Sequence, residues 1–154
     1  MTRFWNGAMW GAAATVAMSV LMILGLVTGI APMPKPIPAA IVGKITGGAL
    51  PRPALLATAA LLHLGYGAFW GGVLAAMSRR LTVLRGLALG VGLWLIMQVV
   101  VLPFLGWGVF GASQTPKIAI ATLILHLVYG GTYGALMDRR GATTPAMGSA
   151  GRMP

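Results

Sequence analysis

Four stretches of this chain are apolar almost without a break: Gly7 to Ile30, Ala54 to Met77, Leu84 to Leu105 and Ile118 to Met137. Apart from Arg85 at the edge of the third, none holds an Asp, Glu, Lys or Arg. A helix rises 1.5 Å per residue, so about 20 residues cross a hydrocarbon layer of about 30 Å. The pattern predicts an all-α membrane protein built as a four-transmembrane-helix bundle. The first run follows MTRFW closely, yet it is about twice as long as a signal-peptide core and no A-x-A site follows, so it reads as an uncleaved helix.

Between the first two runs lies APMPKPIPAAIVGKITGGALPRP, residues 31–53. Prolines at alternate positions from Pro32 to Pro38 impose an extended start. Ile37 to Ile45 then have room for a short helix before Gly47, Gly48, Pro51 and Pro53 end it. This piece is expected on the outer surface or folded back over the bundle, as a lid, a docking element, or an interfacial anchor held by Lys44. Residues 138–154 carry no apolar periodicity and are expected to form a cytoplasmic, disordered tail.

The second and fourth runs share a motif. HLGYGAFWG (63–71) and HLVYGGTYG (126–134) align at a spacing of 63 residues, pairing His63 with His126, Tyr66 with Tyr129, Gly67 with Gly130 and Gly71 with Gly134. The first and third runs match more weakly, through Gly7 and Gly11, Gly86 and Gly90, and the mid-span Met22 and Met97. Alternate crossings point the same way, so the expectation is a parallel, pseudo-twofold internal repeat. Each run has a small-xxx-small glycine pair: Gly7 and Gly11, Gly67 and Gly71, Gly86 and Gly90, Gly130 and Gly134. In lipid such pairs allow the close backbone approach that replaces hydrophobic collapse.

Composition sharpens the class. The 154 residues are 58% hydrophobic and 8% charged, with a mean hydropathy of +0.88. Eleven Lys and Arg stand against one acid, Asp138. The bases lie in the breaks between apolar runs without interleaved stacking aromatics, which argues for a lipid bilayer as partner and against nucleic acid. Arg3, Arg79, Arg80, Arg85, Arg139 and Arg140 cluster at one set of span ends. The positive-inside rule then places both termini in the cytoplasm, with the protein in the cytoplasmic (inner) membrane. Trp5 and Trp10 fall at one expected boundary and Phe104, Trp107 and Phe110 at the other.

Candidate chemistry is sparse. There is no cysteine, no buried acid, no Ser-His-acid set and no metal-ligand spacing, so no catalytic and no metal site is expected. His63 and His126 share helix faces with the packing glycines at mid-span, where an unpartnered N–H costs several kcal/mol. Ser19, Thr15, Gln98, Tyr66 and Tyr129 are the buried polar groups available to them. Three readings follow. The histidines bridge helices structurally; or they are axial ligands of haem b or bacteriochlorophyll, one per helix at matched depth; or they carry protons or copper, with Met18 and Met22 as soft ligands.

GAAATVAMSVLMILGLVTG, the proline-rich stretch ending in IVGKITG, and LLHLGYGAFWGGVLAAM together resemble the YagU-like group of small inner-membrane proteins. The likeness covers residues 7–77 and returns at His126, Tyr129, Gly130 and Gly134, although single prolines stand here where that family has an adjacent pair. It implies a multi-pass membrane protein without an assigned reaction. The expected function is therefore a non-enzymatic accessory or assembly subunit that packs through glycine faces as a homo-oligomer or within a larger membrane complex, without a cofactor. The alternatives are a haem- or bacteriochlorophyll-binding subunit using His63 and His126, and a small channel or permease lined by Gln98, Ser19, Thr15 and the tyrosines.

Overall fold

Proline and glycine mark the breaks after the first and third apolar runs, because one lacks the amide a helix needs and the other tolerates left-handed backbone. The structure, a computed structural model, describes residues 2–142. The helices in chain order are α1 (Arg3–Val27), α2 (Ile37–Ile45), α3 (Arg52–Met77), α4 (Val83–Ile96), α5 (Leu102–Leu105) and α6 (Lys117–Ala142). A π-helical turn, Met97–Val101, joins α4 to α5, and a 3-10 turn, Val109–Gly111, precedes α6. No strand occurs among the described residues. With Val83–Leu105 taken as one helix of 23 residues, four helices are long and apolar enough to cross a membrane.

The π turn was not legible as such, but Pro103 accounts for it. Proline offers no N–H to the carbonyl four residues back, and the helix widens so that the Leu102 amide bonds to the carbonyl of Met97. Consecutive residues Met97 and Gln98 are both buried as a result. The helix then ends at Gly106, whose φ of 80° is the left-handed cap that glycine adopts without strain.

α1 packs along α3, α4 packs along α6, and α1 also lies against α6. α3 and α4 share only the short connection between them and have no comparable interface. The Arg3 guanidinium donates to the carbonyls of Ser78 (2.5 Å) and Arg79 (2.7 Å), satisfying acceptors left open at the end of α3. One core cluster joins Ala14, Met18 and Met22 of α1 to Leu93 of α4 and Leu125, Tyr129 and Tyr133 of α6. A second gathers Met33, Ile37, Met97, Leu102, Trp107 and Ile118.

α2 folds back over the bundle. Ala39 and Val42 pack on Ala59 of α3, and the Lys44 ammonium sits 5.5 Å from the centre of the Phe104 ring. Trp107, expected at the outer boundary, is 7% exposed because α2 and Met33 cover it, and that sequence expectation changes. Residues 138–142 continue α6 and do not begin a tail, while the rest of the expected tail lies outside the described residues.

Candidate functional site: a cavity among the helices

The glycines come first, since they set how close the helices stand. A Cβ on Gly7 would meet the carbonyl oxygen of Gly71 at 2.6 Å, and one on Gly11 would fall on the carbonyl of Gly67. Across the other pair, Gly86 faces the carbonyl of Gly130 and Gly90 that of His126. Gly67 and Gly71 are closed by Thr15 and Tyr133, and Gly134 by the Val83 backbone. All eight glycines therefore pack inside this one chain, so none of them is left to form a face for a second copy.

Two tyrosines use the openings that glycine makes. Tyr129 Oη donates to the carbonyl of Gly67 at 2.7 Å and Tyr133 Oη to that of Gly71 at 2.6 Å, tying α6 to α3. Their rings stack at 8° with centroids 6.3 Å apart. The equivalent residues of the other motif, Tyr66 and Trp70, make no reciprocal bond. Tyr66 was expected to be buried but is 43% exposed, because α4 does not pack along α3 at that point. Ser19 is only half-buried and does not line the site, whereas Gln98 and Tyr129 are buried. The Gln98 amide donates to Thr122 Oγ1 at 3.0 Å, and that hydroxyl donates to the carbonyl of Ile118 at 2.7 Å.

The two histidines do come together. They line one cavity of about 290 Å³ between α1, α3, α4 and α6. Its walls are largely thioether and aliphatic, with Met18 and Met22 facing Leu93 and Met97, and α2 supplies its roof through Ile37, Pro38 and Ile41. A smaller void of about 20 Å³, room for one water, continues inward past His63 and His126 to Thr15 and Tyr129. Leu62 and Tyr66, 56% and 43% exposed, form the outward rim on the side where α3 and α4 are apart.

The chemistry of each imidazole follows from its neighbours. His126 Nδ1 lies 2.8 Å from the carbonyl of Thr122, one turn back on its own helix. A carbonyl only accepts, so Nδ1 carries the proton and Nε2 keeps a bare lone pair. His63 Nε2 is buried without a hydrogen-bond partner among the described residues, and so is Gln98 Oε1. Nothing lining the cavity is charged: it has no carboxylate, ammonium or guanidinium. Such a site has hydrogen-bonding capacity to offer, but no group that holds an ion by opposite charge.

The sequence missed two parts of this site: Thr122 carried no motif, and the tyrosine bonds to glycine carbonyls depend on helix spacing that only the fold defines. Pro103 was the one available signal for the π turn that turns Met97 inward.

Fold and site together define a helical protein with four membrane-length apolar helices around an apolar cavity. The chain belongs to the family of unknown function DUF6789, which matches residues 1–147. No curated protein and no solved structure matches it, and nothing in these comparisons links it to the YagU-like group.

Proposed function

We propose that this protein is a non-catalytic membrane protein that binds a small lipid-soluble molecule between its helices. The observation that carries the reading is the cavity of about 290 Å³, apolar over most of its wall, into which His63 and His126 bring the few polar atoms. That combination, a mostly apolar concavity with a few convergent hydrogen-bonding groups, is what small-molecule sites have in common. The rim at Leu62 and Tyr66 gives such a molecule a way in from the bilayer without crossing the headgroups.

The other readings fit less well. A haem b or bacteriochlorophyll macrocycle is well beyond this volume. A polar transport path is opposed by the bonds that tie Thr15, Gln98, Thr122, Tyr129 and Tyr133 to groups of this same chain. Association through the eight motif glycines loses its surface, since they are used internally.

A parallel repeat remains part of the proposal, with one change of register. Gly11 meets Gly67 and Gly71 as Gly86 meets Gly130 and Gly134, which aligns the first and third spans at 75 residues and pairs Met18 with Leu93 and Met22 with Met97. On that alignment the cavity lies on the pseudo-twofold axis, with one histidine from each half. The test is native mass spectrometry of the protein released from its own membranes. A co-purifying small molecule that is lost from a folded Met22→Trp variant supports the reading, and the same molecule retained by the filled variant sinks it.

A further inference from the structure

We propose that the ligand is a neutral phenol or hydroquinone with an alkyl tail, held by a hydrogen bond from its hydroxyl to Nε2 of His126. The inference rests on the cavity being a ligand site and goes on to name the class of ligand. Four properties of the cavity lead to it.

The hydrogen bond to Thr122 leaves His126 Nε2 able only to accept, so the ligand must donate. His63 Nε2 is buried and unpartnered among the described residues, and its tautomer is not fixed by any bond to that atom. A hydroxyl has one proton to give and lone pairs to accept with, so it donates to His126 Nε2 and accepts from His63 in the tautomer that carries its proton on Nε2. A carbonyl or ether has no proton to give His126.

The second property is neutrality. With no charged side chain on the wall, an ionised head would be desolvated without compensation, so the ligand is neutral. The third is the sulfur. Met18, Met22, Met33 and Met97 all line this cavity, and thioethers make favourable contacts with aromatic rings about 5 Å away while their flexible chains adapt to the ring's outline. The fourth is shape. A volume of about 290 Å³ takes a substituted single ring, and the rim at Leu62 lets an alkyl tail pass outward. The hydroxyl supplies the donor, the ring meets the thioethers and the tail uses the opening.

The experiment is calorimetric titration of the full chain in phosphatidylcholine nanodiscs, with protein-free nanodiscs as the partition blank. The probes are decylhydroquinone, decylbenzene and silver(I), the last a stand-in for a soft cation on the same imidazoles and thioethers. Decylhydroquinone is expected to bind roughly tenfold or more tightly than decylbenzene, since an unpaired buried acceptor is what rejects the analogue lacking the hydroxyl. The preference should fall to parity in His126→Phe and be partly retained in His126→Gln, whose side-chain oxygen still accepts. If neither variant folds, the comparison of probes on the unsubstituted protein decides. Equal affinity for decylhydroquinone and decylbenzene overturns the hydroxyl assignment and leaves the cavity reading standing. Saturable silver(I) binding that displaces decylhydroquinone and needs both histidines overturns the assignment in favour of a soft metal. Absence of decylhydroquinone binding overturns the assignment too, and the cavity reading falls with it only if the filled Met22→Trp variant also retains whatever co-purifies.

Discussion

Tyr129 of α6 donates its phenolic proton to the carbonyl oxygen of Gly67 on α3, 2.7 Å away, and so joins two helices that share no extended interface. The bond is possible because Gly67 has no side chain: a Cβ there would lie 3.2 Å from the Tyr129 ring edge and against Thr15 Oγ1. One motif thus supplies the donor and its echo the acceptor.

Tyr129→Phe and Tyr133→Phe each remove one such bond and are expected to lower stability by about 1 kcal/mol, the usual worth of an interhelical hydrogen bond in lipid. Tyr66→Phe should change stability by less than about 0.5 kcal/mol, since Tyr66 lies at the outward rim. Reversible unfolding in mixed detergent micelles measures all three. Equal losses for Tyr66 and Tyr129 would contradict the division of roles between the two motifs.

The glycines divide by sign. Gly11→Leu and Gly86→Leu drive a side chain into the facing carbonyls of Gly67 and Gly130, and each is expected to cost about 1–3 kcal/mol or more through forced separation of the helices. Gly65 and Gly92 have no neighbour within 4 Å of a built Cβ. At those two positions alanine should stabilise the helix, by up to about 1 kcal/mol. The same unfolding assay reads both sets, and a loss on Gly92→Ala would mean that its face is covered.

Much of this was legible in the pattern of residues. The four apolar runs located the long helices, and Ile37 to Ile45 appeared as the short helix that the prolines and glycines around it delimit. The two HLxYG motifs pointed to His63 and His126, which do line one cavity. What the sequence could not give was the difference between the motifs. Tyr66 and Tyr129 stand in the same local context, and only the absence of an α3–α4 interface leaves one at a rim and the other inside. How the glycines interlock was not legible for a related reason: Gly7 and Gly11 and Gly86 and Gly90 look alike as pairs, but helix offset decides which member faces which.

Gln98 and Thr122 give an asymmetric prediction. Gln98 Oε1 is buried without a partner, while its amide donates to Thr122 Oγ1. Gln98→Leu removes the orphaned acceptor, and the Thr122 hydroxyl still donates to the Ile118 carbonyl, so stability should hold or rise by up to about 1 kcal/mol. Thr122→Val leaves the whole Gln98 amide unpaired in the interior and should cost about 1–3 kcal/mol. If Gln98→Leu instead destabilised the protein by a similar amount, Oε1 must have a partner, and ligand or water bound there becomes the natural candidate.

The chain has no cysteine, so single cysteines can report on whether the cavity opens sideways. Leu62 lies at the rim and is 56% exposed, Leu93 lines the cavity and is 4% exposed, and Ile124 faces outward on α6 at 51%. An uncharged, membrane-permeant maleimide should modify Leu62→Cys and Ile124→Cys at similar rates and Leu93→Cys more slowly. Thiol acidity falls with burial, so a difference between sites alone does not demonstrate an opening. The deciding comparison is Leu93→Cys with and without Met22→Trp in the same chain. A bulky side chain in the cavity should slow modification at Leu93 several-fold and leave Ile124→Cys unchanged, because reagent reaches position 93 only through the volume that tryptophan occupies. A rate at Leu93 indifferent to the filling would mean that reagent arrives by transient separation of α4 from α6. The rim between α3 and α4 would then lose its role as the way in.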